Sequence, residues 1–305
     1  MVETKKVMAM FPGQGSQKVG MGKTLHENFE IAREIFARAD AALDLPLTEI
    51  CFNGPEDKLV QTAITQPAIL TVSSIIFQVW KEKQRDSYEV SVALGHSLGE
   101  FSALVAAGAL KFDDAVMLVH KRGRYMQEAV PIGQGKMVAV LGKEPDEIEA
   151  AIQKIETGVV QIANINAPGQ IVVSGATTAV NEFVAALGKA KVIELSVSAP
   201  FHCSLMEPAA KQLAADLKSL EINRPSFPVL ANYSAEYSFD VEVIRKSLEL
   251  QVCGRVRWVE SVRNAINEFN PVAAIEFGEG GVLSGMLKKI NPELERVQAI
   301  EVLAG

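Results

Sequence analysis

Apolar and polar positions at the start of the chain predict a strand, a loop and then a helix. Residues 7–11 (VMAMF) form a short unbroken apolar run of buried-strand type. Pro12-Gly13-Gln14-Gly15-Ser16-Gln17 ends it, and an amphipathic stretch follows through Ala42. A second helix is predicted from Thr65 or Pro67 to about Lys83. Residues 90–94 read as another buried strand, a sharp glycine-bounded turn occupies 95–99, and a helix follows over about 100–109. Strands alternating with helices point to a parallel α/β sheet.

A second pattern begins near Gly133-Gln134-Gly135. Residues 136–141 predict a strand, and 145–155 a helix with Pro145 at its start and acids in its first turn. Residues 159–165 and 170–174 read as strands joined by Asn166-Ala167-Pro168-Gly169, residues 178–187 as a helix and 191–195 as a strand. The order β-α-β-β-α-β is that of a ferredoxin-like unit. The expected organisation is a large domain over 1–127 and 198–305, with a small domain inserted at about 128–197. Beyond it, helices are predicted at 207–220, at 241–252 and from Leu283, and strands at 229–232 and 272–277.

Composition narrows the field. The 305 residues carry a net charge of −7, which argues against general nucleic-acid binding. No apolar run reads as long enough to cross a bilayer, and the charged start of the chain does not resemble a signal peptide. The three cysteines, Cys51, Cys203 and Cys253, are widely spaced without a CxxC, so a reduced cytoplasmic protein with no disulfide framework and no zinc site is expected. The densest basic cluster is His120, Lys121, Arg122 and Arg124, a pattern that a solvated helix face also produces.

Gly95-His96-Ser97-Leu98-Gly99 matches G-x-S-x-G with a strand before it and a helix after it. In such an elbow the glycines permit the tight turn, the serine oxygen projects at the sheet edge, and the next backbone N–H helps hold an oxyanion. The Gly13–Gln17 loop lacks the spacing of a dinucleotide fingerprint and the Lys-Ser/Thr of a P-loop; its backbone N–H groups are candidates for a second oxyanion donor. Of the four histidines, His26 lies on an early helix, His120 in the basic cluster, and His96 beside the serine on a turn that points neighbours apart. His202, in Ser198-Ala199-Pro200-Phe201-His202-Cys203, is the candidate base. No acid declares itself as a triad member: Asp113, Asp114 and Asp146 lie between Ser97 and His202, in helical segments or in the insert. A Ser–His dyad oriented by a backbone carbonyl is the expected arrangement.

These residues resemble the malonyl-CoA:acyl-carrier-protein transacylases of fatty-acid and polyketide synthesis. The resemblance spans almost the whole chain: Phe11–Gln17, Gln66-Pro67-Ala68, Gly95–Ala103, Arg122-Gly123 with Met126–Pro131, Asn166–Gln170 and Pro200-Phe201-His202. It implies an α/β-hydrolase-like large domain with a ferredoxin-like small one. It implies a malonyl ester on Ser97, with His202 as general base and acid. Arg122 would pair with the malonyl carboxylate, the N–H groups of Gln14 and Leu98 would form the oxyanion hole, and the Gln251 carbonyl would orient the histidine. The partners implied are malonyl-CoA, as a substrate, and an acyl carrier protein; the chemistry calls for no metal, cofactor, nucleic acid or membrane. Phe201, beside the base, is expected to narrow the acyl pocket.

The chain departs from the family pattern at Val252-Cys253-Gly254-Arg255 and at Gly278-Glu279-Gly280-Gly281, where an aromatic residue with Asn-Pro or Ser-Pro, and Gly-Pro-Gly-Lys, are common. A serine esterase would use the same elbow but needs an acid near His202 and has no use for Arg122. A carrier-binding module with a dead site would not need an intact Ser97 and His202.

Overall fold

The computed structural model describes residues 4–84 and 86–304. Among them run nine strands: β1 (Lys5–Phe11), β2 (Tyr88–Gly95), β3 (Gly135–Leu141), β4 (Val160–Ala167), β5 (Gln170–Ala176), β6 (Lys191–Glu194), β7 (Val229–Leu230), β8 (Ala273–Glu276) and β9 (Glu295–Gln298). One sheet has the order β7-β2-β1-β8-β9, and every pairing in it is parallel. Its middle strand explains the apolar run at 7–11. Val7, Ala9 and Phe11 face one apolar cluster, Met8 and Met10 face another on the opposite side, and all five are fully buried.

The second sheet has the order β4-β5-β3-β6, antiparallel throughout, with helices Pro145–Ile152 and Thr177–Leu187 in the chain between its strands. This is the ferredoxin-like order. Its core is a separate cluster that includes Val140, Ile148, Ile171, Val173 and Phe183. A short bridge ties it to the first sheet's side of the molecule: Ile165 donates to the Val256 carbonyl at 3.0 Å, and Val256 donates to that of Ala163 at 2.8 Å.

Several elements differ from the sequence expectation. The stretch through Ala42 is two helices, Lys23–Asn28 and Glu30–Leu43, broken where Phe29 is extended (φ −127°). Short helices at Leu47–Asn53 and Glu56–Leu59, helix Trp258–Phe269, strand β9 and helix Ala299–Ala304 were not expected. The helix expected from Thr65 or Pro67 is Thr62–Gln84, with Pro67 inside it. Pro67 has no N–H to give the Ala63 carbonyl, and Nδ1 of His120 bonds that carbonyl instead at 2.7 Å. This helix is long and apolar enough to span a bilayer, contrary to the expectation that no run is, but 83% of its apolar window is buried in the protein.

Candidate active site

Register brings the functional loops to one edge of the parallel sheet. Phe11 pairs with Gly95, Met10 with Glu276 and Leu94 with Leu230, so the segments after β1, β2, β7 and β8 all leave at the carboxyl ends of the strands. The turn after β2 is tight. A Cβ on Gly95 would lie 1.9 Å from the Gly99 carbonyl carbon, and one on Gly99 would lie 2.0 Å from the Phe11 carbonyl oxygen. The elbow is thereby pressed against β1, and Ser97 takes a left-handed backbone (φ 51°) that non-glycine residues rarely adopt. Asn232, two residues past β7, clasps this turn: its Oδ1 accepts from Ser97 N at 2.6 Å and its Nδ2 donates to the Gly95 carbonyl at 2.6 Å.

His202 reaches Ser97 from the loop that re-enters after β6. Its Nε2 lies 2.8 Å from Ser97 Oγ. Its Nδ1 faces two carbonyl oxygens, Gln251 at 3.0 Å and Gly254 at 3.1 Å. Carbonyls only accept, so Nδ1 carries the proton and Nε2 is left as the acceptor for the serine hydroxyl. Burial, helped by the nearby Arg122 charge, pushes the imidazole down to about 3 from its ordinary 6.5. No carboxylate contacts it among the described residues.

Arg122, on helix Phe112–Glu128, is 1% exposed. Nη1 donates to Gln66 Oε1 at 2.8 Å, and Nη2 to Gln251 Oε1 at 2.8 Å and to Ser97 Oγ at 3.2 Å; the guanidinium also sits 5.3 Å from the Phe101 ring centre. Its buried Nε–H has no acceptor among the described residues. Burial lowers its pKa to about 10, so it is charged at neutral pH. Gln251 serves four residues at once: it accepts from Arg122, its carbonyl faces His202, and its Nε2 donates to the Ser97 carbonyl at 3.0 Å and to Glu100 Oε2 at 2.7 Å.

The loop that carries Gln14 packs against the elbow that carries Leu98. A Cβ on Gly13 would lie 2.3 Å from the His96 carbonyl oxygen, which places the Gln14 loop directly against the elbow. The backbone N–H groups of Gln14 and Leu98 make no hydrogen bond among the described residues. Phe201 is 8% exposed, next to His202 in the chain and in the core cluster. His96 points away from the serine, as expected, with Nε2 2.8 Å from Asn166 Oδ1 on β4 of the second sheet.

The basic cluster is dispersed. Arg122 faces inward, Lys121 pairs with Asp216 at 2.8 Å, His120 closes the Pro67 gap, and Arg124 is exposed beside the Tyr125 ring. The atypical segments have partners of their own. Arg255 bonds Glu149 of the second sheet's helix, and Gly254 supplies the second carbonyl to His202. Glu279 pairs with Lys18 at 3.1 Å and accepts from Gly22 N at 2.8 Å.

Sequence reasoning missed Asn232 and Glu100. Asn232 carries no local signature. Glu100 directly follows the elbow glycine, and an acid at the start of a buried apolar helix is itself the available signal: it is 2% exposed and accepts from Asn232 N at 2.8 Å.

The acyl transferase domain family matches residues 9–281. The chain is 42% identical to a malonyl CoA-acyl carrier protein transacylase of Bacillus subtilis, covering 96% of this chain and 92% of the relative. It is 43% identical to the one of Haemophilus influenzae, covering 98% and 96%. The solved malonyl CoA-acyl carrier protein transacylase of Coxiella burnetii superposes with a TM-score of 0.94 at 39% identity, over 99% of this chain and 97% of that one. A malonyl-transacylase solved in complex with a type II PKS acyl-carrier protein superposes at 0.92 and 39% identity, over 97% and 96%. With its elbow at the sheet edge and near-complete coverage by these relatives, the chain belongs to the malonyl CoA-acyl carrier protein transacylase family of acyl transferases.

Proposed function

We propose that this protein moves a malonyl group from malonyl-CoA to the phosphopantetheine thiol of an acyl carrier protein, for fatty-acid or polyketide synthesis, through an ester on Ser97. In the first half-reaction His202 Nε2 takes the Ser97 proton as Oγ attacks the thioester carbonyl. The N–H groups of Gln14 and Leu98 hold the resulting oxyanion. The C–S bond then breaks, and His202 returns its proton to the coenzyme A sulfur. In the second half the carrier thiol gives its proton to His202 and attacks the serine ester, and the proton ends on Ser97 Oγ.

The observation that carries the malonyl reading is Arg122. A buried guanidinium 3.2 Å from the nucleophile, with its Nε–H unmatched, suits an acyl group that ends in a carboxylate and penalises one that does not. Two of the three free cysteines are buried, which suits a reducing cytoplasm. Intact-mass measurement tests the cycle: malonyl-CoA should add one malonyl mass to the protein, and holo carrier protein should remove it and gain it. A mass that water removes as fast as the carrier does would identify an esterase instead.

A further inference from the structure

Glu100 takes no part in the cycle above, yet it lies behind the nucleophile, buried to the same degree as Arg122. The two are joined through one side chain: Gln251 accepts from Arg122 Nη2 with Oε1 and donates to Glu100 Oε2 with Nε2. The orientation of that amide is forced. Turned over, its NH2 would face the guanidinium, and its oxygen would face the Ser97 carbonyl and the carboxylate. Glu100 is also the acid whose charge acts on Arg122. We infer that Glu100 is a positioning residue and standing counter-charge that sets how tightly Arg122 holds an anionic acyl group. The inference rests on the reading of Arg122 as the carboxylate partner.

The electrostatics give it a direction. With Glu100 ionised, the Glu100–Arg122 pair is neutral, and an incoming carboxylate meets attraction and repulsion together. Without the Glu100 charge the site is net positive, and a carboxylate binds more tightly. In a buried site, a unit charge several Å away changes an anion's affinity by about tenfold or more. An acetyl group carries no charge and does not respond. Burial pushes Glu100 up to about 7 against the opposing pull of its hydrogen bonds and of Arg122, so the effect is fullest at pH 8.

Glu100→Gln separates charge from shape. Its amide oxygen keeps the bonds from Asn232 N and Gln251 Nε2. Its NH2 replaces an oxygen that has no partner among the described residues and lies beside a cavity of about 290 Å³ lined by Leu104, Val229, Ile244 and Leu250, where water can solvate it. KM and kcat are measured for malonyl-CoA and acetyl-CoA at pH 8 in the parent, Glu100→Gln, Arg122→Ala and the double variant. Glu100→Gln should lower the malonyl-CoA KM about tenfold and lower kcat with it, leave the acetyl-CoA KM within about twofold, and have little effect on malonyl-CoA when added to Arg122→Ala, because without the guanidinium's pull the buried Glu100 carboxyl takes up a proton and has no charge left to remove. Should Glu100→Gln fail to fold, the parent carries the same comparison between pH 8 and 6, where Glu100 loses its charge: the malonyl-CoA KM should fall and the acetyl-CoA KM should not. If Arg122→Ala leaves malonyl preference intact, the carboxylate-partner reading falls and this inference with it. If Arg122→Ala abolishes the preference but Glu100→Gln shifts both KM values alike, or neither, the Glu100 inference alone is overturned.

Discussion

His202 Nε2 stands 2.8 Å from Ser97 Oγ, and both residues hold left-handed backbones, with φ 58° and 51°. Two non-glycine residues in that region, facing each other, are conformational costs maintained by the packing around them. The elbow is held by Asn232 and by the close approach of Gly95 and Gly99, and the histidine by two carbonyls. This pair underlies the first expectation. Ser97→Ala should give no acyl-enzyme mass with malonyl-CoA. His202→Ala should fold and load roughly 10²–10⁴ times more slowly, the range for loss of a general base. Malonyl mass on Ser97→Ala would place the ester on another side chain.

Much of this site is legible in the chain because its parts are local. The elbow is five consecutive residues with a strand before and a helix after, and the ferredoxin-like order follows from apolar runs and turn residues between 133 and 195. What connects the parts is not local. Asn232 is 135 residues from Ser97, and Gln251 is 151 from Glu100. Their bonds depend on sheet register, and no spacing in the sequence encodes that. Pro67 misled for a related reason: its missing donor is compensated by His120 from another helix, so a residue that ordinarily marks a helix start sits inside one.

Deep burial of His202 makes a pH prediction. Its pKa is pushed down to about 3, below the ordinary 6.5, so the neutral base persists far into the acid range. An unperturbed histidine would be roughly 97% protonated at pH 5. For stability, the depressed value means a contribution present above 6.5 and lost as pH falls through the folded value. Once Glu100 is neutralised, malonyl loading at saturating malonyl-CoA should therefore stay flat from pH 8 to 5, as read by quenched-flow mass spectrometry; in the parent, Glu100 itself titrates inside that window. Glu100→Gln should be run alongside, to remove the carboxyl that burial raises to about 7. An acid limb near 6.5 in both proteins would show a solvated His202.

Asn232→Ala should separate backbone support from chemistry. It removes the acceptor of Ser97 N and the donor to the Gly95 carbonyl, and so leaves two polar groups of a strained turn unmatched. Each unmatched buried group costs about 1–3 kcal/mol. A lower denaturant midpoint is expected, together with a fall in kcat that malonyl-CoA and acetyl-CoA share, since the loss precedes any recognition of the acyl group. A wild-type midpoint would mean that the turn holds without its clasp.

Phe201 adjoins the base in the chain and is nearly buried, and the proposal that its ring narrows the acyl pocket is open to test. Phe201→Ser should raise methylmalonyl-CoA use relative to malonyl-CoA. One methyl group in a pocket is worth about 1–3 kcal/mol, so the parent's preference should be large but incomplete. An unchanged ratio of kcat/KM values would remove Phe201 from substrate selection.

Arg122 gives the sharpest contrast between acyl donors. Malonyl-CoA and acetyl-CoA differ by one carboxylate, and the guanidinium, 3.2 Å from Ser97 Oγ, is the proposed partner of that group in the ester. In the resting site its Nη2 is shared between Ser97 Oγ and Gln251, and its Nε–H is unmatched, so a carboxylate gains bonds that an acetyl methyl cannot make. Removing one partner of a buried, hydrogen-bonded charge pair costs about 2–5 kcal/mol, which is tens- to thousands-fold in rate. Arg122→Ala should lose malonyl transfer by that factor and keep or gain acetyl transfer, because no unpaired cation remains to penalise a neutral group. The Gln66 and Gln251 side chains it leaves behind are uncharged, and the Glu100 carboxyl, already raised to about 7 by burial, takes up a proton once its counter-charge is gone, so the fold should survive the change with a modest loss of stability. Side-by-side kcat/KM values for the two donors decide the matter: a parallel fall for both would mean that Arg122 supports Gln251 and the histidine carbonyl rather than reading the carboxylate.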